Sequence, residues 1–163
     1  MFECHEASLV RYATWLTGDA ERARDVVQDA FLRLCAEDQD DVQSYVAEWL
    51  FTVCRNRALD TCRKESRLQP LTDLELASHP SDDPSPSAAV ELEEAVSQVF
   101  QALKTLPPNQ QEVVRLKFQC GLSYEEISRI TQLTVTNVGF LLHTALKTLR
   151  RELRTEFGLN KTP

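Results

Sequence analysis

No stretch of this chain approaches the ~18 consecutive apolar residues of a membrane-spanning helix, so its 163 residues are not expected to insert into a bilayer. The N-terminus, MFECHEASLVRY, lacks a basic segment followed by an apolar one, the pattern of a secretion signal, and the expected location is cytoplasmic. A C-x-x-C pair is also missing. The five cysteines (Cys4, Cys35, Cys54, Cys62 and Cys120) are odd in number and scattered, which argues against a disulfide framework or a zinc site and for most of them being buried thiols that behave as small apolar groups. The three histidines are isolated, and Cys4-His5 has no further ligand beside it. Without a carboxylate pair, a nucleophile–base pair or metal-ligand spacing, neither enzyme chemistry nor a cofactor nor a metal is expected.

Positive charge is missing from one segment. Residues 68–103 contain no Lys or Arg but seven acids (Asp73, Glu75, Asp82, Asp83, Glu91, Glu93, Glu94), which match the whole net charge of −7. Residues 1–67 hold nine cations against thirteen acids, and residues 104–163 hold nine against five. The acidic balance therefore does not exclude a nucleic-acid partner, because only parts of the surface need to meet phosphate.

What is present is helical periodicity in two blocks, with 42% hydrophobic residues to build cores. Residues 6–17 place Leu9, Ala13 and Leu16 on one stripe beside Tyr12 and Trp15, and Thr17-Gly18 ends that helix. Asp19 caps the next, Asp19–Cys35, whose Ala23, Val26, Val27, Ala30, Phe31 and Leu34 fill one face. Asp25, Gln28 and Asp29 fall on the opposite side with Leu32. That side reads either as a solvated acidic face or as a docking ridge, two carboxylates and an amide around an apolar knob, suited to a basic partner helix.

Residues 36–44, AEDQDDVQS, show no hydrophobic period and read as a solvent-exposed loop. A third helix is predicted from about Ser44 to Lys64 or beyond, burying Val46, Trp49, Leu50 and Val53. Its second half carries Arg55, Arg57, Arg63, Lys64 and Arg67, either as a solvated helix end or as a row of contacts along a phosphate backbone. From Gln69 to Ser87, Pro70, Pro80, Pro84 and Pro86 with Ser and Asp between them mark a linker.

Beyond it, Leu92, Val96, Val99, Leu103 and Leu106 form a helical stripe that Pro107-Pro108 terminates. Asn109 with Glu112 three residues later reads as a capped start for the next helix, which carries Val113, Val114, Leu116 and Phe118 and ends at Gly121. Ser123 with Glu126 is a capping box. After the break Gln132-Leu133-Thr134, Thr134 caps a long helix with Val138, Leu142, Ala145, Leu149 and Leu153 on its inner face. The outward face shows Thr136, Phe140, His143, Lys147 and Arg151. Two helices joined this tightly read as a helix-turn-helix that reaches into a DNA major groove, with a plain helical hairpin as the alternative.

Three stretches together, DVVQDAFLRL at 25–34, WLFTVCRNRALDTCRK at 49–64 and LPPNQQEVVRLKFQCGLSYEEISRIT at 106–131, resemble the extracytoplasmic-function (ECF) sigma factors of bacterial RNA polymerase over nearly the whole chain. The resemblance implies an all-α protein of two small helical domains joined by an acidic Pro-rich linker: 1–68 for polymerase docking and the −10 element, 69–88 as linker, and 89–163 as the −35-reading domain. It implies core polymerase as partner, through the β′ clamp helices and the β subunit, with Asp25, Gln28, Asp29 and Leu32 at the contact. Promoter DNA would meet Arg55, Arg57, Arg63, Lys64 and Arg67, then Thr136, Asn137, Phe140, His143, Lys147 and Arg151. The linker would thread toward the RNA exit path, and an anti-sigma factor is an expected partner.

Compared with family recognition helices such as TVKSRLHRARKKLR, this chain lacks cations at Gly139, Leu141, Thr144 and Leu146. The alternative to a transcription-initiating factor is a sigma-like protein that sequesters an anti-sigma factor without initiating transcription.

Overall fold

A computed structural model describes residues 2–37, 42–68 and 88–156. Among them are seven α-helices and one π turn: α1 Phe2–Thr17, α2 Ala20–Ala36, α3 Val46–Leu68, α4 Ala88–Lys104, α5 Pro108–Val114, the π turn Arg115–Gln119, α6 Tyr124–Thr131 and α7 Val135–Glu156. The predicted linker, 69–87, lies outside the described residues.

Local chemistry sets most of the boundaries. Gly18, at φ 72°, turns the chain out of α1 in the left-handed region that glycine enters without a Cβ penalty. Asp19 Oδ1 then accepts from Glu21 N at 2.8 Å and Arg22 N at 3.4 Å, satisfying amides that α2 leaves without helical partners. The capping box forms as predicted: Glu126 N donates to Ser123 Oγ at 3.2 Å and Ser123 N donates to Glu126 Oε2 at 2.7 Å. Gln132 makes the sharp turn between α6 and α7 at φ 63°, its side-chain amide donating to Arg129 O at 2.9 Å. Thr134 Oγ1 accepts from Asn137 N at 3.1 Å and starts α7.

Helices α1, α2 and α3 pack on one another, and α7 lies across α4, α5 and α6. Leu9, Tyr12 and Ala13 of α1 meet Ala23, Val26, Val27 and Ala30 of α2 and Leu50, Phe51, Cys54 and Ala58 of α3. In the second group Leu103, Leu106, Val113, Leu116, Ile127, Ile130, Val138, Leu142 and Ala145 are buried. The two groups are not held apart: α3 packs against α6 and α1 against the π turn, so the buried residues form one contiguous cluster.

Three expectations are corrected. Within the acidic 36–44 stretch, whose residues 38–41 lie outside the described ones, Val42 is 4% exposed and so is an anchor, in a turn closed by Tyr45 N to Val42 O at 3.0 Å. The α4 stripe is buried only at its C-terminal end: Leu103 and Leu106 are buried, but Leu92, at 67%, Val96 and Val99 are exposed. Asn109 and Glu112 do not cap α5. Its N-cap is Pro107 with no side-chain cap bond, and among the described residues Asn109 Oδ1 accepts only from Gln110 N.

Candidate functional site

On α2, the face away from the core presents Asp25, Gln28 and Leu32 to solvent, with Leu32 65% exposed. A leucine costs apolar hydration at that exposure unless something covers it. Asp29 stands apart from this ridge. It is half-buried, its Oδ2 lies 3.1 Å from Arg33 Nε and 3.7 Å from Arg57 Nε, and among the described residues no well-aligned hydrogen bond reaches that oxygen.

The basic half of α3 is divided by its surroundings. Arg63 and Lys64 are exposed, with no ion pair among the described residues. Arg57 is exposed but leans on Asp29, and the Arg67 side chain lies outside the described residues. Arg55 is half-buried and already engaged by the other half of the molecule: its Nε donates to Glu112 Oε1 at 2.7 Å and its Nη2 to Glu112 Oε2 at 3.4 Å.

On α7, Thr136, Asn137, Phe140, His143, Lys147 and Arg151 are all exposed, and Phe140 reaches 65%. They line one continuous outer face, opposite buried Val138, Leu142, Ala145 and Leu149. Nearby, Lys117 Nζ stands 5.3 Å from the centroid of the Tyr124 ring. A Cβ at Gly139 would meet Tyr124 Cε2 at 3.7 Å, ordinary contact, so the small residue there is not demanded by packing.

Sequence reasoning missed the contacts between the two halves. Tyr12 Oη donates to Glu112 Oε1 at 2.6 Å, Trp15 Nε1 to Gln111 Oε1 at 3.3 Å, and Arg129 Nη1 to Glu48 Oε2 at 2.7 Å. The Arg115 guanidinium sits 5.3 Å over the Trp15 ring, and among the described residues its Nε has no acceptor. Burial first, then the Glu112 carboxylate, pushes the Tyr12 hydroxyl well above its ordinary range. Burial works against the charge on Arg55, but the hydrogen bond and charge of Glu112, with Tyr12, outweigh it and raise its pKa. Arg115 is lowered by burial. No local signal in PPNQQEVV distinguishes Glu112 as a long-range partner; its spacing from Asn109 suggested a local role.

Comparison with known proteins assigns this arrangement to a family. The family model for sigma-70 region 2 matches residues 1–68, and that for sigma-70 region 4 matches residues 97–149. The ECF RNA polymerase sigma factor SigL of Mycobacterium tuberculosis (strain ATCC 25618 / H37Rv) is 30% identical over 165 residues, covering 99% of this chain and 90% of SigL. EcfG of Rhodopseudomonas palustris (strain TIE-1), also an ECF RNA polymerase sigma factor, is 36% identical over 124 residues, 76% of this chain and 66% of EcfG. In fold, the chain is similar to the sigma factor RpoE as solved in complex with the anti-sigma factor NepR from Bartonella quintana, with a TM-score of 0.65, 24% identity and 92% of each chain covered. With both regions matched in order and a relative aligned almost end to end, the chain belongs to the ECF sigma factors of RNA polymerase.

Proposed function

We propose that this chain docks on core RNA polymerase through the α2 ridge and directs promoter recognition with α3 and α7. The observation that carries this reading is the order of the two matched regions on one chain, 1–68 and then 97–149. Residues 1–68 act as the polymerase and −10 domain, 69–88 as linker and 89–163 as the −35 domain. Asp25, Gln28 and Leu32, with the half-buried Asp29 behind them, form the surface offered to the β′ clamp helices, where an apolar knob beside an acid and an amide complements a basic helix.

Arg55, Arg57, Arg63, Lys64 and Arg67 follow the DNA backbone at the −10 element. On α7, Thr136, Asn137, Phe140 and His143 face bases while Lys147 and Arg151 meet phosphate. With so few cations on that helix, salt dependence at the −35 site is shallow, and Phe140 contributes apolar contact to thymine methyls. The protein works in the cytoplasm, beside its polymerase, without cofactor or enzymatic step. An anti-sigma factor is a further expected partner, as NepR is for the RpoE of similar fold.

Run-off transcription with purified core enzyme on a promoter library tests the reading. Phe140→Ala is expected to lower promoter-specific product by about tenfold, a loss of ~1.4 kcal/mol, while leaving polymerase binding intact. If the parent chain yields no promoter-specific product with active core, the reading fails. If Phe140→Ala abolishes binding of a protein partner and leaves promoter output unchanged, the sequestering alternative replaces it.

A further inference from the structure

The geometry points to Asp29 as the residue that positions Arg57 for the −10 element, a link within the first three helices that ties the polymerase-docking helix to the DNA-facing one. The role rests on the reading of Arg57 as a promoter contact. It differs from direct contact with polymerase, because Asp29 does not share the exposure of the ridge. Asp25, Gln28 and Leu32 open to solvent on α2, whereas Asp29 is half-buried and its Oδ2 is enclosed.

That oxygen sits between two cations from different helices. Arg33 Nε, one turn along α2, approaches to 3.1 Å, and Arg57 Nε, on α3, to 3.7 Å. The Arg57 side chain stays 43% exposed, so the carboxylate fixes its stem without burying it. A guanidinium held at Nε keeps its two terminal nitrogens for a phosphate.

Charge balance gives a second argument. Two guanidiniums that reach one oxygen repel each other, and the carboxylate between them offsets that repulsion. Without it, Arg57 is driven from Arg33 and spreads over the rotamers of a long side chain. Burial, and then the Asp29 charge, raises the Cys54 thiol on α3, which places the field of this carboxylate in the contact between α2 and α3. Farther along the same two helices Arg22 pairs with Glu65, next in sequence to Lys64, so α2 braces the basic half of α3 at two points.

Binding of a −10 fork-junction duplex to polymerase assembled with saturating chain tests the inference, because saturation separates affinity for DNA from affinity for core enzyme. Asp29→Asn is expected to weaken fork binding about fivefold and to lower the salt slope by about one, as a lost phosphate contact does. Arg57→Ala should do the same. The double variant should bind no more weakly than Arg57→Ala alone, a coupling that a general loss of packing would not produce. Asp29→Glu, which keeps the charge, should restore most of the affinity. Arg57→Lys serves if circular dichroism shows that Asp29→Asn does not fold: with no Nε to be held, it should lose nearly as much as Arg57→Ala, and parental affinity would overturn the inference. Tighter fork binding by Asp29→Asn, or an Asp29→Asn chain whose only defect is weaker association with core, would overturn it too. If Arg57→Ala binds the fork as the parent does, Arg57 is no promoter contact and the positioning role falls with it. A parent without preference for the −10 sequence contradicts the assigned function and the inference together, whereas additive losses in a −10-selective parent contradict the inference alone.

Discussion

Cys54, on α3, lies in the core with no exposed surface, and burial followed by the nearby charge of Asp29 pushes its thiol from 9.0 up to about 12. The unfolded chain ionises this group near pH 9, whereas the folded chain keeps the proton. Between those values the native state binds more protons than the unfolded one, so stability is full below pH 9 and falls as pH rises toward 12. Denaturant titrations from pH 8 to 11 should show this decline, and a Cys54→Ala chain should show a shallower one. Ser123 offers a second test at this scale: Ser123→Ala removes the acceptor for Glu126 N and should cost ~1 kcal/mol in the same titrations. The caps at Asp19, Ser123 and Thr134 were legible in sequence because each satisfies an amide two or three residues away. Glu112 was not, since its partners lie 57 and 100 residues back.

Helix periodicity tells which face is apolar, and tertiary structure decides whether that face is covered. On α7 the two agree: Val138, Leu142, Ala145 and Leu149 are all buried. On α4 they part company, with Leu103 covered and Leu92, Val96 and Val99 exposed. Leu142→Ala should therefore destabilise the chain by ~2–5 kcal/mol, whereas Leu92→Ala should change stability by no more than ~0.5 kcal/mol. Thermal melts of the two variants separate the cases, and equal losses would show that α4 packs along its whole length. The third helix illustrates the same limit. Val46, Trp49 and Val53 were read as buried and are half-buried, while Phe51 and Ala58, which the stripe omitted, are fully enclosed by α1 and α2. Val42 escaped notice because four surrounding acids hid a single buried anchor.

For the whole molecule, the order of the segments was readable and their relative placement was not. The family of the chain, its all-α class and the promoter-directing role follow from motifs in sequence order, and the matches to regions 2 and 4 bear them out. The seam depends on Tyr12, Trp15, Glu48 and Arg55 meeting Gln111, Glu112, Arg115 and Arg129, pairs that no periodicity links. Charge distribution fits an adaptor between a large enzyme and DNA, since acids exceed cations in 1–67 and 68–103 and cations exceed acids in 104–163. The central claim is that the α2 ridge fastens this chain to core polymerase. Its most direct test is association of the purified, folded chain with purified core enzyme at low salt. A stable complex is expected, weakened about tenfold or more when Asp25 and Gln28 are both replaced by alanine. A folded chain that fails to associate, under conditions where another sigma factor does, would contradict the account.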